Sequence, residues 1–173
     1  MRRALAVLAI AVVVAGCSGG DSKKAAKSTT TVTRFPPTRP LNNKQLAEGQ
    51  GACGLVTQAE VASAVGLQSN AGTGVETADG GSSCRWTLKA SGTQVVSIIE
   101  VVKDAQAYED RIRKEGGAIE NLAGVGDHAF FAANTAYVAK GGKLIIVSVA
   151  TTQAVATRKA ATTKLAQSAA ARL

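Results

Sequence analysis

From Ala4 to Ala15 every residue is apolar; the run follows Met1-Arg2-Arg3 and closes on Val14-Ala15-Gly16-Cys17. As a helix it would rise about 18 Å, short of the roughly 30 Å hydrocarbon layer of a bilayer. A short basic segment and then an apolar run of this length has the build of an export signal. From Ser18 to Glu48 the apolar pattern dissolves. This stretch holds all three prolines, the run Ser28-Thr29-Thr30-Thr31, and Lys23, Lys24, Lys27, Arg34, Arg39 and Lys44 against Asp21 and Glu48. Too few apolar residues remain to bury a face, so the sequence predicts a flexible tether, with a root-mean-square span of about 30 Å.

Periodic patterning begins at Gly49. Thr57-Gln58-Ala59-Glu60 has capping-box spacing, with Val56 and Val61 at the staple positions and Gly66-Leu67 suited to a left-handed cap. The expected helix is 58–65, with Val61, Ala62 and Val65 inward. Cys84, Trp86 and Leu88 alternate with Arg85, Thr87 and Lys89, the signature of a half-buried strand. Ser91-Gly92 turns the chain into a β-branched run, Thr93 to Val102. Asp104 can cap a helix over 105–115, with Tyr108 and Ile112 inward and Glu109/Arg113 and Asp110/Lys114 as outer i,i+4 pairs. Strands are expected at 128–133, 135–139 and 143–150, the last two joined at Gly141-Gly142. The Ala-rich stretch from Thr152 to Leu173 is helical by propensity.

The resulting order, α-β-β-α-β-β-β-α, predicts an α+β domain: an antiparallel sheet of about five strands packed by two or three helices. Its organisation is then 1–16 signal, 17–48 Cys17 and tether, and 49–173 globular domain. Ser69 to Ser83, rich in Gly, Ser and Thr, reads as a mobile loop, with Glu76 and Asp79 as the candidate binding residues it carries.

Segmentation changes the meaning of the net charge of +8. Most of the excess sits in the signal and tether, while residues 49–173 carry twelve basic against ten acidic residues. Six aromatic residues in the whole chain leave little for base stacking, so nucleic acid is not an expected partner. The basic tether would favour anionic lipid headgroups or wall polymers. Within the domain charge is lopsided: residues 128–173 hold six basic residues and no acidic one. That could present a basic surface to an acidic partner, although Lys159 and Lys164 fall on separated sides of a helical wheel.

Three cysteines are present. Cys17 closes the export signal, which leaves Cys53 and Cys84 in the domain, and in an oxidising compartment such a pair forms a disulfide. A metal or redox site is the alternative, but there is no Cys-x-x-Cys spacing and only one histidine. Neither a metal nor another cofactor is expected. Gly124-x-Gly126-x-x-Ala129 matches a dinucleotide fingerprint in letters only, since no acidic residue follows Asp127 and the next residues read as a strand. His128 would have to serve any triad, yet Asp127 is poorly placed to orient it, because neighbours on an extended chain face opposite ways. No catalytic residue is assigned.

Val14-Ala15-Gly16-Cys17 resembles the lipobox of bacterial lipoproteins. The resemblance implies cleavage before Cys17, diacylglycerol on its sulfur, and attachment to the extracytoplasmic face of the cell membrane. Cys53-Gly54-Leu55-Val56-Thr57, Cys84-Arg85-Trp86 and Gly124-Val125-Gly126-Asp127-His128-Ala129 are similar to the landmarks of a family of small secreted actinobacterial lipoproteins, a domain of unknown function. That likeness implies an envelope location and a bridge between Cys53 and Cys84; it implies no activity. The expected function is a non-enzymatic envelope binding or accessory module. A carrier of lipid or another hydrophobic ligand, and a wall-acting enzyme, are the alternatives.

Overall fold

The computed structural model describes residues 44–115 and 118–173. The signal, the lipobox residues Val14, Ala15 and Gly16, Cys17, and the tether as far as Asn43 lie outside the described residues. The elements are β1 (Gln45–Leu46), a 3₁₀ turn (Gly51–Gly54), α1 (Gln58–Val65), β2 (Thr73–Glu76), β3 (Ser82–Thr87), β4 (Val95–Val101), α2 (Ala105–Glu115), β5 (Glu120–Asn121), β6 (His128–Ala132), β7 (Thr135–Lys140), β8 (Lys143–Ala150) and α3 (Val155–Ala171). The strands form one antiparallel sheet in the order β1-β2-β3-β4-β8-β7-β6-β5. The α+β expectation holds, with eight strands where about five were expected.

The three additional strands are β1, β2 and β5, which lie at or beside the sheet edges. Two of them have only two residues, and Glu120 and Asn121 are both exposed. Short polar edges resist pairing with other chains and carry little alternation to read. The stretch read as a mobile loop is thus a strand, a turn and the start of β3, with Val75 opposite Ser83 and Glu76 opposite Ser82. The fold also reaches upstream into the stretch read as tether, since Gln45 pairs with Val75.

Each half of the sheet is a meander, and the halves meet where β4 pairs with β8, from Val95↔Ala150 to Val101↔Leu144. Alternation along the strands sends side chains to two differently covered faces. On the front, Cys84, Trp86, Val96, Ile98, Val138, Ile145 and Val147 pack with Val61 and Val65 of α1 and with Leu165, Ala166 and Ala169 of α3. Alanine lets α3 lie close to the sheet. On the back, Val101, Leu144 and Ile146 pack with Ile99, Tyr137, Ala105 and Tyr108 of α2. Strand β8 is covered on both faces, which explains its unbroken apolar run Leu144–Val147.

Local signals explain the helix ends. Both arms of the α1 capping box form, and Gly66 closes the helix in the left-handed region with φ 72°. Ala62 is only half-buried, while Val61 and Val65 carry the contact. The β7–β8 hairpin turns through Gly141 and Gly142, with φ of 56° and 77°. Two successive positive φ values make the twist-matched turn for which glycine is favoured.

Helix α2 differs from expectation in which face it buries. Glu109 was expected on its outer face and is instead 3% exposed, while Tyr108 and Ile112 are only half-buried. The Glu109–Arg113 pair forms, at 2.8 Å. Asp110 accepts a hydrogen bond from Gln106 at 2.9 Å.

Candidate functional site

Cys53 and Cys84 form a disulfide, with their Cα atoms 5.0 Å apart. It ties the 3₁₀ turn to β3 on the front of the sheet. Beside it, Ser82 Oγ accepts from Ala52 N at 2.7 Å and donates to Glu100 Oε2 at 3.1 Å. The other oxygen of Glu100 accepts from Lys143 Nζ at 2.7 Å. This chain of bonds satisfies a carboxylate that is otherwise costly to bury and links the turn through β3 and β4 to β8.

Glu76 and Asp79 are not brought together on one binding surface. Glu76 is exposed on β2, and its amide donates to Lys44 O at 3.0 Å. Asp79 holds the turn between β2 and β3. Its Oδ1 accepts from Thr77 Oγ1 and, at 3.3 Å, from Gly81 N. The Thr77 bond, followed by the Gly81 amide, holds the Asp79 carboxyl below its ordinary value, against an opposing contribution from burial.

The segment 124–128 leads into β6, so a strand follows the glycine pair rather than the helix that a dinucleotide fold requires. Val125 is buried in the front core. Asp127 N donates to Ala139 O at 2.9 Å, and Asp127 Oδ2 accepts from Gly141 N at 2.8 Å. The carboxylate therefore holds the hairpin turn, while His128 points to the back of the sheet. There His128 Nε2 lies 2.5 Å from Glu109 Oε1, the same oxygen that accepts from Arg113 Nε. The His128 side chain is 47% exposed and that of Glu109 only 4%. The Arg113 guanidinium lies 4.1 Å from the Phe130 ring centroid, and Phe130 stacks on Tyr137 at 4.9 Å.

Two hollows flank His128. One, of about 150 Å³, lies between α2 and the β7–β8 hairpin and includes Gln106, Lys140 and Lys143. The other, of about 290 Å³, follows residues 121–129 and includes Arg113. The His–Glu pair could exchange a proton, but neither hollow has a serine, threonine or cysteine on its wall. Lys140 Nζ donates to Ala170 O at 2.7 Å and Lys143 is bound to Glu100. Among the described residues no group of three metal-ligating side chains occurs.

The lopsided charge resolves inside the fold. Arg172 pairs with Glu60 at 2.9 Å, Lys143 with Glu100 at 2.7 Å and Lys159 with Glu120 at 2.5 Å. Lys164 donates to Ser63 Oγ at 3.0 Å and Arg158 to Thr151 O at 3.3 Å. The cations of the last segment are used largely in closing it onto the acidic first part, which removes the basis for an unengaged basic patch.

Around α1 lies a different surface, which sequence reasoning missed. An open groove of about 520 Å³ is walled by Thr57, Gln58, Ala59 and Ala62 on one side and by Gln68, Ser69 and Lys89 on the other, with Glu48 at its margin. It adjoins a smaller hollow of about 220 Å³ that reaches Cys53, Val56 and Trp86 and shares Glu48, Thr57 and Gln58 with it. Gln58 Nε2 donates to Ser69 O at 2.6 Å. Ser69 is 3% exposed, and its hydroxyl has no hydrogen-bond partner. Nothing in a one-dimensional pattern brings residues 58, 68 and 89 together.

A family model described as a protein of unknown function, DUF3558, matches residues 12–170. The chain belongs to that family. The match takes in the disulfide, the β6 entry loop and the α1 groove alike. Comparison with curated proteins and with solved structures found no match.

Proposed function

We propose that this DUF3558 protein is a cell-envelope lipoprotein, held on the extracytoplasmic face of the membrane by lipid on Cys17, whose folded domain is a non-enzymatic binding module. The supporting observation is the pairing of Cys53 with Cys84, the two cysteines among the described residues, which leaves the third, Cys17, outside that bridge. A structural disulfide fits an oxidising compartment outside the cytoplasm. The remaining cysteine follows an apolar run and two small residues, Ala15 and Gly16, as the lipobox resemblance requires. Two acyl chains provide stable attachment where one does not, at about 0.8 kcal/mol per buried methylene. Among the described residues no helix is long and apolar enough to cross a membrane. The likeness to actinobacterial lipoproteins supports the same compartment. The basic tether would add attraction to anionic headgroups or wall polymers.

A binding role is favoured over catalysis because the sole histidine is engaged by a buried carboxylate beside hollows without a hydroxyl or thiol nucleophile. It is favoured over lipid carriage because, among the described residues, the α1 hollow of about 520 Å³ is larger than its neighbour and the two beside His128, yet is an open groove with carboxamide, hydroxyl and charged walls. A lipid carrier needs an enclosed apolar cavity. Replacing Cys17 by alanine and fractionating cells tests the anchor. The protein is expected to leave the membrane fraction and to lack the mass of the acyl groups. Unchanged partitioning with unchanged mass would overturn the reading.

A further inference from the structure

We propose that the groove along α1 binds a neutral saccharide, an assignment that rests on the binding-module reading and gives it a site and a ligand class. The volume, about 520 Å³, lies in the range of small-ligand sites, about 300–1,000 Å³. The chemistry of the walls narrows the class. The Thr57 hydroxyl is held by Glu60 in the capping box. Gln68 brings a carboxamide able to donate and accept, Gln58 keeps its Oε1 and one N–H beyond the bond to Ser69 O, and Ser69 brings a hydroxyl. Such groups match the vicinal hydroxyls of a sugar, which also donate and accept. Ala59 and Ala62 line the α1 side without bulk, leaving an apolar strip for the carbon face of a pyranose ring. The charged wall residues are Lys89 and Glu48, one of each sign, so no net charge favours an ionic ligand.

Ser69 is the second observation. A buried hydroxyl without a partner is destabilising, and the fold keeps one in a residue that lines the groove. Gln58 holds Ser69 by its carbonyl and so leaves the side chain uncommitted. In the bound state the hydroxyl turns about χ1 toward the ligand and gains its missing bond. Trp86, the one tryptophan of the chain, lines the adjoining hollow and gives a second signal of occupancy.

The test titrates the full-length protein in detergent with chitotetraose, maltotetraose and cellotetraose by calorimetry, with Trp86 fluorescence recorded alongside. At least one of the three is expected to bind at millimolar concentration or below. Gln68→Ala and Ser69→Ala should each weaken that binding about tenfold, the scale of one hydrogen bond lost at a site that then leaves its partner unpaired. Ser69→Ala removes an unsatisfied hydroxyl, so its melting temperature should be unchanged or raised while its affinity falls. Glu76→Ala, on the exposed edge, should bind as the parent does. Absence of binding by all three saccharides, or unchanged affinity in either groove variant, would overturn the assignment. Release of Cys17→Ala from membranes alongside a failed titration would sink the saccharide and leave the anchor standing.

Discussion

Arg172 near the carboxyl end of the chain closes onto Glu60 in the first turn of α1, with Nη2 2.9 Å from Oε1. The same guanidinium donates through Nη1 to Leu55 O at 2.9 Å. Glu60 in turn accepts from Thr57 N at 2.8 Å, so one carboxylate both caps α1 and fastens it to the end of α3.

That arrangement has a pH signature. The hydrogen bond from Arg172 is the main cause that lowers the Glu60 carboxyl from its ordinary 4.5 to about 2, assisted by Thr57 and opposed by burial. A carboxyl depressed by folding contributes stability in full above pH 4.5, and the contribution disappears as the pH falls through about 2. Melting temperature measured against pH should therefore drop over this interval. Arg172→Ala should be less stable at neutral pH, with a shallower drop below pH 4.5. Parallel curves for the two proteins would count against the coupling.

Reduction of the Cys53–Cys84 bridge should destabilise the domain without dissolving its front core. The bridge closes a loop with a sequence separation of 31, and chain entropy assigns such a closure about 3.5 kcal/mol. Denaturant unfolding of the parent and of the Cys53→Ser, Cys84→Ser double variant measures the difference. A loss under about 1 kcal/mol would mean that the bridge adds little to what neighbouring contacts already impose.

Two glycines of the β6 entry loop separate backbone strain from crowding. Both have positive φ, 75° at Gly124 and 64° at Gly126. A Cβ at Gly124 meets nothing within 4 Å, whereas one at Gly126 would lie 2.6 Å from Ala139 O and 2.7 Å from Val138 Cγ1. Gly124→Ala should cost about 1 kcal/mol, the scale of a left-handed non-glycine residue. Gly126→Ala must also push against a strand that receives the Asp127 amide, and should cost about 2–3 kcal/mol. Equal losses in thermal unfolding would refute the crowding argument.

Much of the framework could be read from order along the chain. Thr57, Glu60 and Gly66 set the bounds of α1 by local chemistry, and period-two alternation through Cys84, Trp86 and Leu88 exposed β3. The two-glycine turn fixed the β7–β8 hairpin. What escaped lay where local pattern is weak or where contacts are distant. β1, β2 and β5 are brief and polar, as sheet edges tend to be, so Thr73–Glu76 passed for loop. Glu109 fitted an outer ion pair on the helix alone; its burial accompanies a bond to His128 of β6, a residue distant in sequence. Asp127, which precedes β6, bonds the β7–β8 turn through Gly141 N, and His128 bonds Glu109, so the two side chains have different partners although both border the same hollows. The α1 groove depends on Ser69 bridging to Leu88, a pairing that no periodicity announces.

The position of β1 also governs how the domain would respond to tension. Strand β1 touches the sheet through only two residue pairs, Gln45↔Val75 and Leu46↔Gly74. A pull arriving upstream of Lys44 would peel those first and then meet Cys53, whose bond to Cys84 passes the force straight into an inner strand. Up to that link a few residues can unravel and add slack; past it, the segment between Cys53 and Cys84 cannot be drawn out while the sulfurs stay joined, and the load falls next on β3.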